Sequence, residues 1–161
     1  MSSPDVLEVS VHVAADPQTV FAYFTDPARY IRWMGTTATL EPEPGGTYRV
    51  FMRDGVETAG EFVEVDPPRR LVFTWGWTHD DAVPPGSTRV EVTFAAEDGG
   101  TRVVLRHHDL PTAEQRTHHG AGWLAYLARL VTRLAGDDPG PDPNAAERPQ
   151  DGAIPQNQVN T

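Results

Sequence analysis

Six short runs of alternating apolar and polar residues follow one another through the middle of the chain, each bounded by turn-forming residues. Side chains two residues apart lie on one face of a β-strand, so this alternation is typical of strands with one buried face. Gly-Gly and Asp-Gly pairs between such runs indicate hairpins, in which consecutive strands are antiparallel. The pattern predicts an antiparallel meander with strands at 37–42, 47–53, 57–65, 70–78, 88–95 and 101–109.

A seventh strand and two short helices precede the meander. Residues 7–13 alternate valine or leucine with polar residues, which predicts the seventh strand. Asp16 and Asp26 each stand directly before a proline, and an aspartate cap followed by proline at the first helical position is a strong helix start. We therefore expect helices at 17–24 and 27–33.

One long helix ends the folded part of the chain. Thr112 with Gln115 three residues later forms a capping box, which predicts that the helix begins there. Its apolar residues recur at spacings of four, three and four, at Trp123, Leu127, Leu130 and Leu134. A helix with one apolar face and a sheet with one apolar face bury those faces against each other. The sequence thus predicts an α+β fold in which a curved sheet wraps around the C-terminal helix.

The charge and composition limit the domain count and the partners. A chain of 161 residues supplies one core of ordinary size, which we assign to residues 1–135. Residues 136–161 are rich in proline and acid and poor in large apolar side chains, which predicts a disordered acidic tail. The chain carries 13 arginines, no lysine and a net charge of −10, the wrong sign for binding phosphates, so we expect no nucleic-acid partner. The absence of cysteine excludes disulfides and thiolate metal sites.

No segment has the character of a membrane span or a leader. The most apolar stretch, at 123–134, is interrupted by Arg129 and Arg133, and the first residues lack a basic region followed by an apolar run. We therefore expect no membrane partner and a cytoplasmic location.

Five segments together resemble a known superfamily. They are VFAYFTDPARYIRWMG, EPGGTYRVFM, GEFVEVDPPRRLVFTWGW, VEVTFAAEDGGTRVVLRHHDLP and HHGAGWLAYLARL, in this order and spacing over about residues 5–135. The chain resembles the helix-grip fold of the START and birch-pollen-allergen-like superfamily, called SRPBCC. Within it, the chain is similar to the subgroup named after the C-terminal domain of the activator of the ninety-kilodalton heat-shock protein ATPase. This resemblance implies a seven-stranded curved antiparallel sheet, two short helices after strand one and a long C-terminal helix.

A curved sheet that does not close fully on its helix leaves a cavity between them. From strand parity and helical spacing we expect nine side chains to line that cavity and contact a ligand: Trp33, Tyr48, Met52, Trp75, Trp77, His107, His119, Trp123 and Tyr126. Tryptophans in such periodic positions also fill cores, so packing alone is the competing interpretation.

The histidine pairs do not predict a metal site. In His107-His108 on a strand and His118-His119 on a helix, neighbouring side chains point in different directions, so neither pair can hold one ion from one side. No sequence motif predicts a cofactor. An inward His107 and His119 leave open a polar contact to a ligand, a proton-transfer role, or a structural hydrogen bond.

Three functions remain open at this point. The first is binding of a small hydrophobic or aromatic molecule, with His107, His119, Tyr48 and Tyr126 orienting its polar end. The second, implied by the resemblance, is a chaperone-cofactor-like interaction module. The third is a polyketide cyclase- or dehydratase-like enzyme, although the lack of a catalytic motif favours a protein that is not an enzyme. Edge strands of an open sheet would also allow two copies to pair as a homodimer.

Overall fold

The computed structural model describes residues 5–144, which form one seven-stranded antiparallel sheet with three helices. The strand order is β1-β7-β6-β5-β4-β3-β2, so every strand except β1 is adjacent to its neighbour in sequence. The strands are β1 (Leu7–Val13), β2 (Thr37–Leu40), β3 (Thr47–Arg53), β4 (Val56–Asp66), β5 (Arg70–Trp75), β6 (Thr88–Glu97) and β7 (Gly100–His108). The α+β helix-grip fold predicted from the sequence is confirmed.

The two short helices, α1 (Pro17–Thr25) and α2 (Pro27–Tyr30), begin at the predicted aspartates. The carboxylate of Asp16 accepts the backbone N–H of Thr19 at 2.8 Å, and that of Asp26 accepts the N–H of Ala28 at 3.1 Å. The predicted helix 27–33 is too long. After Tyr30 the chain tightens into turns, and the Trp33 indole N–H donates to the Tyr23 carbonyl at 2.9 Å, which draws that ring into the core.

Strand β5 ends earlier than the predicted 70–78. At Gly76 the carbonyl of Pro84 comes so close that an added Cβ would lie 1.9 Å from its oxygen. The connection to β6 thus folds back onto the strand end, and Trp77 donates its backbone N–H to Val83 and forms an isolated bridge with Thr58. Strand β5 therefore ends at Trp75, because the Pro84 carbonyl packs against Gly76 where the prediction continued the strand.

A register shift interrupts the regular alternation of faces along β4. The shift lies between Phe62 and Glu64, so the alternation of buried and exposed residues changes phase there. Phe62 is buried in the core, whereas Val63 is 49% exposed.

The long helix α3 (Ala113–Leu134) begins at the predicted cap, where the Thr112 hydroxyl accepts the N–H of Gln115 at 3.1 Å. It contacts the edge strand β1 and, on the other side of the sheet, β3, the strand next to the other edge. A Cβ added at Gly120 would lie 2.9 Å from Leu7 on β1, and the Tyr126 hydroxyl lies 3.5 Å from the Met52 sulfur on β3. Because these strands are far apart in the sheet order, the sheet must curve around α3. Within residues 5–144 no helix combines the length and apolar character needed to cross a membrane.

One half of the interior is filled by aromatic rings from α1, α2, the turn after α2 and the sheet. Tyr48 stacks on Phe73 with ring centres 4.2 Å apart, and the hydroxyls of Tyr30 and Tyr48 share a hydrogen bond of 2.6 Å. We call this set the closed cluster; all of its members are buried: Phe21, Phe24, Tyr30, Trp33, Tyr48, Phe62, Phe73 and Phe94.

Residues 137–144, which we call the strap, contact the domain beyond the predicted boundary at residue 135. The Arg129 guanidinium donates to three strap carbonyls, those of Pro139, Gly140 and Pro141. The buried Asp142 carboxylate accepts the Gly35 N–H at 2.7 Å and the Tyr126 hydroxyl at 2.9 Å. The rest of the predicted disordered tail, 145–161, lies outside the described residues.

Candidate functional site

An open groove of about 1180 Å³ runs along one side of α3. On one wall are helix residues from Glu114 to Tyr126, and on the other are the β3–β4 hairpin and the β5–β6 connection. Trp75 and Trp123, which are both buried, lie at its floor. The volume slightly exceeds the roughly 300–1,000 Å³ typical of small-molecule sites, because the groove is open to solvent along the helix.

Small residues on α3 leave the space unfilled. Ala121 and Gly122 both line the groove, and a Cβ added at Gly122 would meet no heavy atom within 4 Å. At a helical spacing of four residues the large Tyr126 ring lies next to Gly122, whereas Trp123 lies next to His119. The groove therefore follows from which face of α3 carries small side chains.

Tryptophan and histidine rings form a layer at the inner side of the groove. Trp75 is its centre, with its ring 5.0 Å from Trp77, 4.9 Å from His107 and 5.4 Å from His119, mostly edge to face. The Trp123 ring lies 6.0 Å from Trp75. We call these five residues the open cluster.

His119 uses both ring nitrogens within the protein. Its Nε2 accepts the Trp77 indole N–H at 3.1 Å, so its Nδ1 carries the proton and donates to the Gln115 carbonyl at 2.8 Å. Burial lowers the pKa of His119, and the neighbouring His118 lowers it further. The imidazole is thus held neutral in one tautomer, with no free nitrogen for a ligand.

His107 is bonded in the same way but lies deeper. Its Nδ1 accepts the Trp123 indole N–H at 3.1 Å, so Nε2 carries the proton and donates to the Thr88 hydroxyl at 2.8 Å. That hydroxyl in turn donates to the Trp75 carbonyl at 2.7 Å. Burial, followed by repulsion from His119 and His108, lowers the pKa of His107 from 6.5 to about 3. His107 is therefore a neutral element of the core.

The structure places the nine predicted ligand contacts in two groups. Those that line the groove are Trp75, Trp77, His119, Trp123 and Tyr126. Trp33, Tyr48, Met52 and His107 are fully buried and do not line it. Strand parity places Tyr48, Met52 and His107 on the inward face, but it carries no information on depth, and Trp33 follows a helix for which no strand parity exists.

The hydroxyls of the two predicted tyrosines are also engaged by protein groups. Tyr48 bonds to Tyr30 deep in the core, and burial raises its pKa well above the usual value. The Tyr126 hydroxyl bonds to Asp142, accepts a hydrogen bond from Asn144 at 2.8 Å, and also has its pKa raised by burial. Tyr126 therefore presents its ring, more than its hydroxyl, to the groove.

Sequence reasoning missed several lining residues, among them Arg53, Asp80 and Asn144. Asn144 belongs to the strap, which composition assigned to a tail, and Asp80 belongs to a loop for which no strand parity exists. By parity Arg53 opposes Met52 and should face outward. A register shift in β3 between Phe51 and Arg53 brings Arg53 to the groove instead. The sequence before the Asp54-Gly55 turn contains no feature that predicts this shift.

Charged groups of both signs line the groove, but they do not form a metal site. Within residues 5–144 no cluster of three or more histidine, aspartate or glutamate side chains has the arrangement of metal ligands. Arg53 is the arginine of the lining, and Asp80 and Glu114 are its carboxylates.

The family model of the Activator of Hsp90 ATPase homolog 1-like proteins matches residues 14–135 of this chain. Comparison with curated proteins gives no match. Among solved structures, the AHSA1-like protein of Rhizobium etli is 42% identical with a TM-score of 0.66, over 92% of this chain and 95% of that one.

Two further structures extend the comparison. DynU16, a protein in the dynemicin biosynthetic locus, is 27% identical with a TM-score of 0.74 over 84% of this chain, which spans about half (49%) of DynU16. CalU16 from Micromonospora echinospora is 25% identical with a TM-score of 0.67 over 84% of this chain and 77% of its own. The resemblance stated from the motifs is confirmed: the chain belongs to the family of Activator of Hsp90 ATPase homolog 1-like proteins within the SRPBCC superfamily.

Proposed function

We propose that the chain binds a small hydrophobic or aromatic molecule in the groove beside α3. One observation carries this proposal: about 1180 Å³ of unfilled space is bordered by the indole rings of Trp75, Trp77 and Trp123. Indole faces offer large, rigid apolar surfaces, and removal of apolar surface from water contributes roughly 25 cal/mol per Å². Of these three residues Trp77 is only partly buried, so a planar ring system would cover its open indole surface, while the buried Trp75 and Trp123 form the floor beside it.

Fixed hydrogen bonds around the open cluster support a binding role. His119 and His107 each have both nitrogens bonded to protein groups, so the inner layer is held in place before a ligand arrives. Such a preformed site loses little conformational entropy on binding. Because neither imidazole offers a free nitrogen, they shape the site, and the sequence-based hypothesis that they orient the polar end of the ligand loses support.

The second candidate is the cyclase- or dehydratase-like enzyme. It is favoured by His119, an imidazole that lines the groove, and by the similarity to DynU16, whose gene lies in a biosynthetic locus. Acid–base catalysis would require His119 to exchange the Trp77 indole for a substrate group at Nε2. The chaperone-cofactor alternative rests on the family description alone, so we rank it below both.

Naphthalene-2-carboxamide is a suitable neutral aromatic probe for the binding hypothesis. Tryptophan fluorescence and calorimetric titration should both report saturable binding to the full chain. Gly122→Phe fills the open space from the helix wall and should abolish this binding without unfolding the protein, since phenylalanine is a better helix former than glycine by about 0.3–0.5 kcal/mol. Ala128→Phe, on an exposed position of α3 outside the groove, is the matched control and should bind as the parent does.

Equal binding by the parent and by Gly122→Phe would place the probe elsewhere and overturn the proposal. So would the absence of any fluorescence or heat signal with the amide and with a wider set of neutral aromatic compounds.

A further inference from the structure

The β3 register shift gives the groove one cation. Phe51 pairs with Glu57 and Arg53 pairs with Val56, so Met52 is an extra residue on β3. At such a bulge the strand bends, and consecutive side chains can approach the same side of the sheet. Here Met52 is buried beneath the floor and Arg53 lines the groove itself.

The Arg53 guanidinium has no partner among the described residues. Its Nε is buried and forms no hydrogen bond. None of the ion pairs among residues 5–144 includes Arg53. Most other described arginines do have such partners, for example Arg49 with Glu57 and Arg106 with Glu8. A buried N–H donor without an acceptor is unfavourable, so a ligand that supplies an acceptor to Nε relieves this cost. The side chain as a whole is half-buried and lines the groove, so a ligand in the groove can reach it.

Other polar atoms near the floor are not available to a ligand in this way. Trp75 Nε1 and Thr58 Oγ1 also lack hydrogen bonds, but both lie near the Tyr48 hydroxyl, on the inner side of the sheet. His119 and Tyr126 are engaged by protein groups. Arg53 is therefore the strongest unpaired donor that borders the groove.

The geometry points to a carboxylate on the ligand: we propose that the groove selects planar aromatic acids, with the carboxylate on Arg53 and the ring system on the indoles of the open cluster. This inference rests on the proposed function. A guanidinium matches a carboxylate through two parallel N–H···O bonds, which adds geometric selectivity to the charge attraction. Asp80 and Glu114 also line the groove, and they repel an anion that is not paired with Arg53.

The net charge of −10 makes this selectivity easy to detect. A protein with a large negative net charge repels anions over most of its surface. A preference for an acid over its neutral isostere therefore has to come from a local cation. Without Arg53 the remaining carboxylates of the lining would favour the neutral compound.

Comparison of 2-naphthoate with naphthalene-2-carboxamide tests the proposal, because the two probes differ in charge and hardly in shape. Calorimetric titration of the full chain at pH 7 should give a dissociation constant roughly tenfold or more lower for the acid, the scale of one charge-assisted hydrogen bond. Arg53→Gln should weaken binding of the acid far more than binding of the amide, and so remove this preference. Arg53→Lys should retain part of it, since the charge remains and the planar fork is lost.

Arg89→Gln is the matched control, because Arg89 is exposed on β6, does not line the groove, and its removal changes the net charge equally. It should bind both probes as the parent does, and a melting curve should show that each variant is folded. Equal affinity for acid and amide in the parent, or a preference that survives Arg53→Gln, overturns the inference and leaves the proposed function standing. Absence of binding by both probes contradicts the proposed function itself.

Discussion

The closed and open clusters are both rich in aromatic rings and both lie on the concave side of one sheet, yet of the two it is the open cluster that lines the groove beside α3. The closed cluster is covered by α1, by α2 and by the turn that carries Trp33, whose large side chains fill the space. Above the open cluster lies the first half of α3, which presents Ala121 and Gly122. The position of the groove in this fold therefore depends more on the size of the side chains that the overlying helix or turn presents to the sheet than on the number of aromatic rings.

The largest expected difference between the two clusters concerns stability. Phe73→Ala in the closed cluster should lower the free energy of unfolding by about 3–5 kcal/mol, because the ring is fully buried and its neighbours cannot collapse into the space. Trp77→Ala in the open cluster removes a larger ring, yet it should cost clearly less, since Trp77 is only partly buried and water can enter the groove. Urea denaturation of both variants measures the two losses. Comparable losses would show that the open cluster is packed as tightly as the closed one.

A smaller effect distinguishes the buried histidine of the open cluster from exposed ones. The pKa of His107 is lowered from 6.5 to about 3, so below pH 6.5 the unfolded chain binds a proton at this position that the native protein does not. The free energy of unfolding therefore decreases as the pH falls from 6.5 towards 3, by up to about 1.4 kcal/mol per pH unit. Above pH 6.5 this contribution to stability is fully present. Urea denaturation between pH 5.5 and 6.5, where most carboxylates are already ionised in the unfolded chain, measures this slope.

The slope should become shallower in His107→Gln, which lacks the titrating group, whatever the absolute stability of that variant. His79→Gln, at an exposed position of the β5–β6 connection, serves as the control for the loss of an exposed histidine. An unchanged slope in His107→Gln would mean that His107 is accessible to protons in the native state, and hence that the inner layer of the open cluster is not closed to water.

The sequence carried most of the fold because its local signals agree. These signals act over a few residues: the alternation in β3 and β6, the glycine turns, and the helix caps at Asp16, Asp26 and Thr112. The three caps begin helices in the structure as predicted. The differences arise where distant groups decide. The approach of Pro84 to Gly76 shortens β5, and the bond from Trp33 to Tyr23 accompanies the early end of α2.

The site was less predictable than the fold for the same reason. Parity assigns Trp75 and His107 to one face, but whether a ring reaches the groove depends on what covers it. Arg53 enters the groove through a register shift, and Asn144 through a strap that is held by Asp142 and Arg129. Such contacts join residues far apart in the chain, and they cannot be predicted from the periodicity of the sequence.

The indole N–H signals in a nuclear magnetic resonance spectrum test the central claim most directly, because the four tryptophans report on both clusters at once. Saturation with naphthalene-2-carboxamide should shift the signals of Trp75, Trp77 and Trp123 and leave that of Trp33 in place. Assignment by single Trp→Phe variants identifies each signal. Four unshifted signals, or a Trp33 signal that moves as far as the other three, would contradict the account.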